Sequence, residues 1–539
     1  MSATSVIDGA VGAIHQFPPR KVASAADVTL QTVINEAAAG DCIYIAPGTY
    51  KIAEPLAIHR DLFLLGFDDA DGRKVVIEYD GGCLTPALAA LRIEDGAKVV
   101  IASVQFSYSH DVERSDPARA STTHAIRVFG GSLELRDCTI VSTVCGVDVR
   151  TGASFSGLRT DMSVACVAVD SSGRAHLQRG TVAGCTVGLR ASAEPSNVSC
   201  DDTLFISCSA AVVVEELAEA SIRGATMKEC RLGVAIRSNS TRADPVSISG
   251  SEFRECGHGV IVQGQCCNPT VTKCVFDQCT TCGICVDSGS PSITGCAVTN
   301  TPIGMEILSG EAVISECAIE DFSDVGILIS GPSTMPRVIK CLIRADASGS
   351  RQRVGEGAVA SQLLASAAEL LEGQAETALP PKVPTLGIVI EETAAPQIED
   401  TTFDNTDVNI FGFNACGVVE ANVLGVTEYD SVVFVGPSGD VVVRENDFLG
   451  TRRGTGVGIY CGSKAMVCRN KMEGIQLAGV TLRSCGETVV TENEFTECQD
   501  AVVAMGRSLG IAHRNTTELA VVVFTDAVET FSAPGSGQQ

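Results

Sequence analysis

The sequence predicts an all-β solenoid, in which short coils stack along one axis. Two signatures that recur in step carry that prediction. Between Cys256 and Ile343 a cysteine followed by an alternating apolar pair returns at Cys274, Cys296, Cys317 and Cys341, at spacings of 22, 21 and 24 residues. A Gly-led apolar run returns alongside it at Gly259, Gly283, Gly304 and Gly326, at spacings of 24, 21 and 22. Self-similarity at such a period marks units that bury their apolar faces only by stacking on one another. A solenoid grows in one dimension, so 539 residues do not by themselves require several globular cores.

Residues 1–26 read as an irregular leader. Asp27 to Gly40 reads as an N-terminal capping helix, with Asp27 as N-cap, Leu30, Val33, Ile34 and Ala37 on one face, and Gly40 ending it. Strand patterns follow at Asp41–Tyr50, Leu56–Ile58 and Asp61–Gly66. From about residue 90 the repeat continues through Cys138 with Gly146, Cys185 with Gly188, Cys208 with Val212, and Cys230 with Gly233. Each coil offers period-two runs of strand length, the pattern of strands with one buried face. About 22 residues suffice for three such strands joined by bends, advancing about 4.8 Å per coil.

The β-helix is expected over 27–343 and again over 387–531. Between them, 344–386 reads as one inserted loop, with an amphipathic helix at about 354–371 that places Val359, Leu363, Ala367, Leu370 and Leu371 on one side. After the insertion Asn takes the cysteine slot: Asn422, Asn446, Asn470, Asn493 and Asn515 follow at 24, 24, 23 and 22 residues. A structural ladder is therefore expected from Cys138, Cys274, Cys296, Cys317 and Cys341 into these asparagines. Asn hydrogen-bonds along such a stack and tolerates a bend conformation, whereas Cys fills the slot as a small buried side chain. Leu519–Phe524 reads as a closing strand, and 532–539 as a disordered tail.

The order helix, Gly-Asp, apolar strand, Pro47-Gly-Thr-Tyr50, second strand, apolar strand ending in Gly66 resembles the N-terminal cap and first coils of right-handed parallel β-helix proteins of the pectate-lyase-like superfamily. The resemblance implies a single-stranded right-handed parallel β-helix. In repeat style the Cys-rich, Asn-laddered coils are similar to the β-helices of F-box ubiquitin-ligase adaptors and of the spindle-associated SHC-binding family, which serve as interaction modules. No F-box-like helical domain precedes the coils here.

Lys and Arg number 39 against 65 Asp and Glu, a formal charge of −26 that opposes binding to nucleic acid or to an anionic membrane. No signal-peptide pattern and no apolar run of spanning length is apparent, so the 24 cysteines are expected as free thiols in the cytoplasm. Aromatic residues make up only 4%, with no Trp, which weighs against a sugar-binding cleft.

Because β-helix relatives include polysaccharide-active enzymes, Gly257-His258-Gly259 and Asn405-Thr406-Asp407 invite comparison with polygalacturonase-like hydrolases. Here the two fragments come in the reverse order, an Arg-Ile-Lys triplet is missing, and some six coils separate them, about 30 Å. Inverting hydrolysis needs its carboxyl groups within about 10 Å. His258 is therefore expected at a bend. The outward slot two residues after each repeat glycine holds Asp148, Arg190, Ile261, Cys285, Glu306 and Leu328, with Val213 and Ala235 in other coils. No two acids adjoin in that reading, so a catalytic calcium is not expected. Cys266, Cys267, Cys279, Cys282 and Cys285 have zinc-like spacing, but periodic placement favours stacked thiols.

The sequence thus predicts no catalytic residue, no cofactor, no metal site and no small-molecule ligand. It predicts a non-catalytic cytoplasmic scaffold for other proteins in a larger assembly, such as a cytoskeletal or axonemal one, with Val213, Ala235, Ile261 and Leu328 as a protein-contact stripe. The competing expectation is a divergent carbohydrate-active enzyme.

Overall fold

A computed structural model describes residues 22–23, 29–67, 74–80, 89–109, 124–192, 196–216, 218–238, 246–346, 362, 384–436, 440–517, 523–525 and 531–532. Most of the predicted leader, nearly all of the insertion including its expected helix, and the tail beyond Ser532 lie outside the described residues. The chain divides into two compact units, Met1–Arg237 with Asp244–Val246, and Ser238–Ala243 with Ser247–Gln539.

Each unit is built of coils in which three short strands follow one another and pair in parallel with the same strands of the next coil. We call the resulting sheets I, II and III in chain order. In the first unit one coil runs Gly131–Arg136, Thr139–Ser142, Cys145–Val149, and the next runs Ala153–Leu158, Asp161–Val164, Val167–Ser171. Their registers are Leu133 with Phe155, Ile140 with Met162 and Val147 with Val169. In the second unit Ser292–Thr294, Ala297–Thr299 and Ile303–Ile307 pair in the same way with Val313–Ser315, Ala318–Phe322 and Val325–Ile329. The architecture is an all-β right-handed parallel β-helix, as the repeat predicts.

The first unit begins with a two-residue strand, Val22–Ala23, paired in parallel with Tyr44 and Ile45, and a short helix follows, Leu30–Glu36, that buries Leu30, Val33 and Ile34. Its N-cap is Thr29 and not Asp27, which lies outside the described residues, and Thr29 makes no side-chain capping bond. The helix ends at Ala37, three residues before Gly40 turns left-handed at φ 86°. The predicted strand Asp41–Tyr50 is two strands, Asp41–Ile45 and Gly48–Ile52.

Left-handed residues mark two bends in many of the coils. At the bend from sheet I to sheet II, Asp137, Lys273, Glu316, Lys340, Glu445 and Arg469 all have positive φ. The residue after each is the ladder position, so the strained conformation sits one residue before Cys or Asn and not on it. The second bend, into sheet III, places Ser207, Glu229, Glu255, Gln278 and Asn405 in the same region.

The ladder residue has a specific task at the bend, where sheet I stops: its side chain adds a donor to two sheet I carbonyls, one of which already accepts a backbone N–H, as that of Thr294 does from Lys273. The single S–H of Cys296 is shared between the carbonyls of Thr294 (3.6 Å) and of Val271 in the preceding coil (3.6 Å). Thr160 Oγ1 reaches Leu158 and Leu135, and Asn446 Nδ2 reaches Arg444 and Val419, in the same relation. Cys, Thr and Asn are interchangeable there because each is short and carries a donor. Between the cysteines and the asparagines stands Thr401, which accepts from the Cys341 backbone N–H and places its own N–H on Asn422 Oδ1. A second column at the bend into sheet III, with Cys208, Cys230 and Cys498, repeats the pattern, each thiol donating to the carbonyl two residues upstream.

The repeat glycines serve the interior. A Cβ on Gly304 meets Ile319 Cγ2 and the Gly326 carbonyl oxygen, each at 2.4 Å, and one on Gly259 meets the Phe276 ring at 2.3 Å. Glycine there lets a large sheet II side chain cross the lumen. The closing segment Val523–Thr525 pairs with Val503–Met505 as a further sheet III rung.

Candidate functional site

The outer face of sheet III in the first unit carries a column of charged side chains. Register pairs place Arg92, Arg127, Asp148, Asp170, Arg190, Val213 and Ala235 on successive coils. Asp148 and Asp170 are direct neighbours, which corrects the reading that no two acids adjoin. The coil of Asp170 has Ala168 where its neighbours carry the repeat glycine, so a glycine-anchored alignment passes over it. The usable signal was the alternation itself, Val167-Ala168-Val169-Asp170 under Cys145-Gly146-Val147-Asp148.

Asp148 is buried, and its Oδ2 accepts from Arg127 Nε (2.6 Å) and Arg150 Nε (2.8 Å). Arg190 holds Asp170 in a fork, Nε on Oδ1 at 3.0 Å and Nη2 on Oδ2 at 2.5 Å. Charge-assisted bonds of this kind are short and stronger than neutral ones. His124 shares this face, its Nδ1 3.3 Å from Arg127 Nη2, and burial holds its pKa below the ordinary 6.5. Neighbouring Cys145 is pushed up to about 12 by burial, so it is no thiolate nucleophile.

Of the predicted contact residues, Val213 and Ala235 end this column and pack with Ala210, all three buried. Leu328 belongs to the second unit, in a cluster with Val389, Phe411 and Val433 that is likewise buried. Ile261 is half-buried beside Cys285, three register steps from Leu328. Val213, Ala235 and Leu328 thus point outward yet are closed to solvent.

An open apolar column exists elsewhere, on the outer face of sheet I in the second unit. Val418, Val442, Met466, Val489 and Ile511 occupy five successive rungs in register. Met466 is 44% exposed and Ile511 43%. Alternate residues Val419, Val443, Val467, Val490 and Ala512 point into the core. Exposed Asp440, Lys464 and Glu487 line one edge. This column went unread because the repeat was tracked along sheet III.

His258 begins a sheet III strand, so it is not a bend residue. Asn405 is a left-handed bend residue, and the Asp407 carboxylate accepts from the Thr385 backbone N–H at 2.8 Å. The register from His258 through Cys282, Ile303, Val325 and Leu386 to Val408 is five steps, about 24 Å, so the two fragments form no common site. The described cysteines are free thiols, and among the described residues no group of three or more His, Cys, Asp or Glu is placed to hold a metal. No described helix is long and apolar enough to cross a membrane.

These coils define the class, a right-handed parallel β-helix repeat protein. The family model for the right-handed beta helix region matches residues 232–363. No curated protein matches the chain in sequence. Solved structures similar to it include the catalytic domain of a GH87 alpha-1,3-glucanase in complex with nigerose, at 10% identity and TM-score 0.38, over 72% of this chain and 66% of that one. The chain thus covers slightly less than two thirds of that protein. Others are the bacteriophage Phi29 gene product 12 N-terminal fragment (12% identity, TM-score 0.41, 98% and 95% coverage) and the PL6 family alginate lyase AlyGC (10%, 0.34, 93% and 98%). Likeness at this level does not separate an enzyme from a binding protein.

Proposed function

We propose that this chain is a non-catalytic β-helix that binds other proteins on its outer surface, as a cytoplasmic component of a larger assembly. One observation carries the reading: the five-rung column Val418, Val442, Met466, Val489 and Ile511 is apolar and in register, with Met466 and Ile511 exposed and the three valines half-buried. Contiguous apolar surface rimmed by polar residues is a contact surface in soluble proteins. The rungs lie about 4.8 Å apart. An amphipathic helix laid along the column offers an apolar side chain every three to four residues, about 5 Å, so it can meet every rung. The exposed edge of Asp440 and Glu487 around a single Lys464 favours a helix with basic flanks.

The test is co-purification from the native cell with the full chain and with Met466→Glu. The wild type is expected to recover a stoichiometric protein partner, and Met466→Glu to lose it at an unchanged melting midpoint. Equal recovery by both would remove the column from the reading.

A carbohydrate-active enzyme is the second reading, favoured by Asp148 and Asp170 on adjoining coils of one outer face. Against it, both carboxylates are committed to arginines. Cleavage of a polyuronide or glucan that disappears in Asp170→Asn would establish this reading and displace the first.

A further inference from the structure

Cys145 and Cys166 stand together on adjoining coils of the first unit. Val147 pairs in register with Val169, so Cys145 lies opposite Val167, and Cys166 comes one residue earlier, in the bend that leads into sheet III. The Cys166 backbone N–H donates to the Val144 carbonyl at 3.2 Å, which ties this bend to the residue before Cys145. A coil step of about 4.8 Å and a residue step of about 3.3 Å put the two Cα atoms about 6 Å apart. Disulfides span about 4.4–6.8 Å between Cα atoms, so that separation needs no movement of the backbone. The side chains meet as well, for the Cys145 S–H donates to the Cys166 sulfur. The two thiols differ in access: Cys145 is fully buried, whereas Cys166 is half-buried. By contrast the ladder thiols Cys274, Cys296, Cys317 and Cys341 are all buried, each held between two carbonyls. A reachable sulfur in contact with a buried one is the arrangement in which the outer thiol takes up an oxidant and the inner thiol resolves it.

We propose that Cys145 and Cys166 form a redox modification site, which closes into a disulfide by exchange with a low-molecular-weight disulfide such as oxidised glutathione. The Cys166 thiolate attacks one sulfur of that molecule, whose S–S bond breaks and releases one small thiolate. Cys145 then attacks the Cys166 sulfur, its proton passes to the released thiolate, and the second small thiol leaves. Two protein thiols are oxidised and one small disulfide is reduced to two thiols. Burial raises both protein thiols above the ordinary 9.0, Cys145 to about 12, so exchange is slow at neutral pH and faster in alkali. The bridge closes one whole coil into a ring, which takes freedom from the unfolded chain. The site is independent of the apolar column in the other unit.

The experiment brings the full chain to equilibrium with reduced or oxidised glutathione at about pH 8.5, where a free thiol is half ionised. Remaining thiols are then alkylated and bridges are mapped by mass spectrometry. The oxidised sample is expected to yield a Cys145–Cys166 bridge that dithiothreitol removes, with a melting midpoint about 5 °C above the reduced form. Cys166→Ser, a small change at a half-buried bend, should melt like the reduced wild type and gain nothing on oxidation. Cys145→Ser should stop with glutathione held on Cys166. A wild type that keeps both thiols free, retains glutathione on Cys166, or bridges Cys166 to another cysteine overturns the proposal. So does an equal gain in midpoint in Cys166→Ser.

Discussion

Asn446 Oδ1 accepts from both the backbone N–H and the side-chain Nδ2 of Asn422, each at 2.9 Å, while its own N–H and Nδ2 reach Asn470 Oδ1 at 3.0 Å. Asn470 repeats this with Asn493, and Asn493 with Asn515. Asn446→Ala strips two donors of their acceptor and two carbonyls of a donor in a buried stack. We expect a loss of about 3 kcal/mol, since each stranded buried group costs about 1–3 kcal/mol and neighbours relax in part. Asn515→Ala, at the half-buried end of the run, should cost clearly less. Equal losses in urea unfolding would show that the rungs are independent and not a ladder.

Gly304 and Gly295 separate the two uses of glycine. Gly295 has φ 62°, and the nearest atom to its would-be Cβ is Lys273 Cγ at 3.7 Å, so Gly295→Asn should melt within about 2 °C of the wild type because Asn tolerates that conformation. Gly304→Ala drives a methyl into Ile319 and a backbone carbonyl and should cost about 1–3 kcal/mol. Reversed costs, measured by thermal unfolding, would contradict the interior role of the repeat glycines.

These pairs show what was legible in the chain and what was not. Period announced the coils, because Cys274, Cys296, Cys317 and Cys341 recur with the rise of the helix. Volume alone does not describe the cysteine task, because the carbonyls that Cys274 reaches, those of Thr272 and Ile248, lie together only once the bend is made. Asp170 was missed for a related reason: its slot is set by pairing with Asp148 and not by a glycine of its own. Whether an outward residue is open or closed depends on packing beyond the repeat, so Leu328 and Met466 look alike in sequence and differ in exposure.

Alkaline pH should unfold the protein through its buried thiols. Burial raises Cys138 to about 11, and Cys145 and Cys279 to about 12, from an ordinary 9.0. Below pH 9 both states keep the proton and stability is unaffected. Above it the unfolded chain releases protons that the folded chain retains, so stability falls until the folded values are reached. Each thiol contributes a loss on the order of 1 kcal/mol per pH unit. The melting midpoint in reductant should drop steeply from about pH 9 to 11, and less steeply in Cys145→Ala. A flat midpoint over that range would mean that the thiols are not closed from solvent.

The Arg127–Asp148 pair offers the sharpest stability test, because the Arg127 side chain is only 10% exposed and that of Asp148 5%. Asp148→Asn keeps the volume and one acceptor oxygen but removes the negative charge that Arg127 and Arg150 share. Breaking a buried pair from one side costs about 3–5 kcal/mol, so thermal unfolding should show a loss of that order. Asp170→Asn should cost less, since its partner Arg190 is 32% exposed and water can replace the carboxylate. Joint replacement, Arg127→Met with Asp148→Leu, removes both charges and should recover most of the loss, because apolar pairs of similar volume substitute well for buried ions. If the double variant is as unstable as Asp148→Asn alone, the face depends on Asp148 for more than its pairing with Arg127, and Arg150 becomes the partner to test.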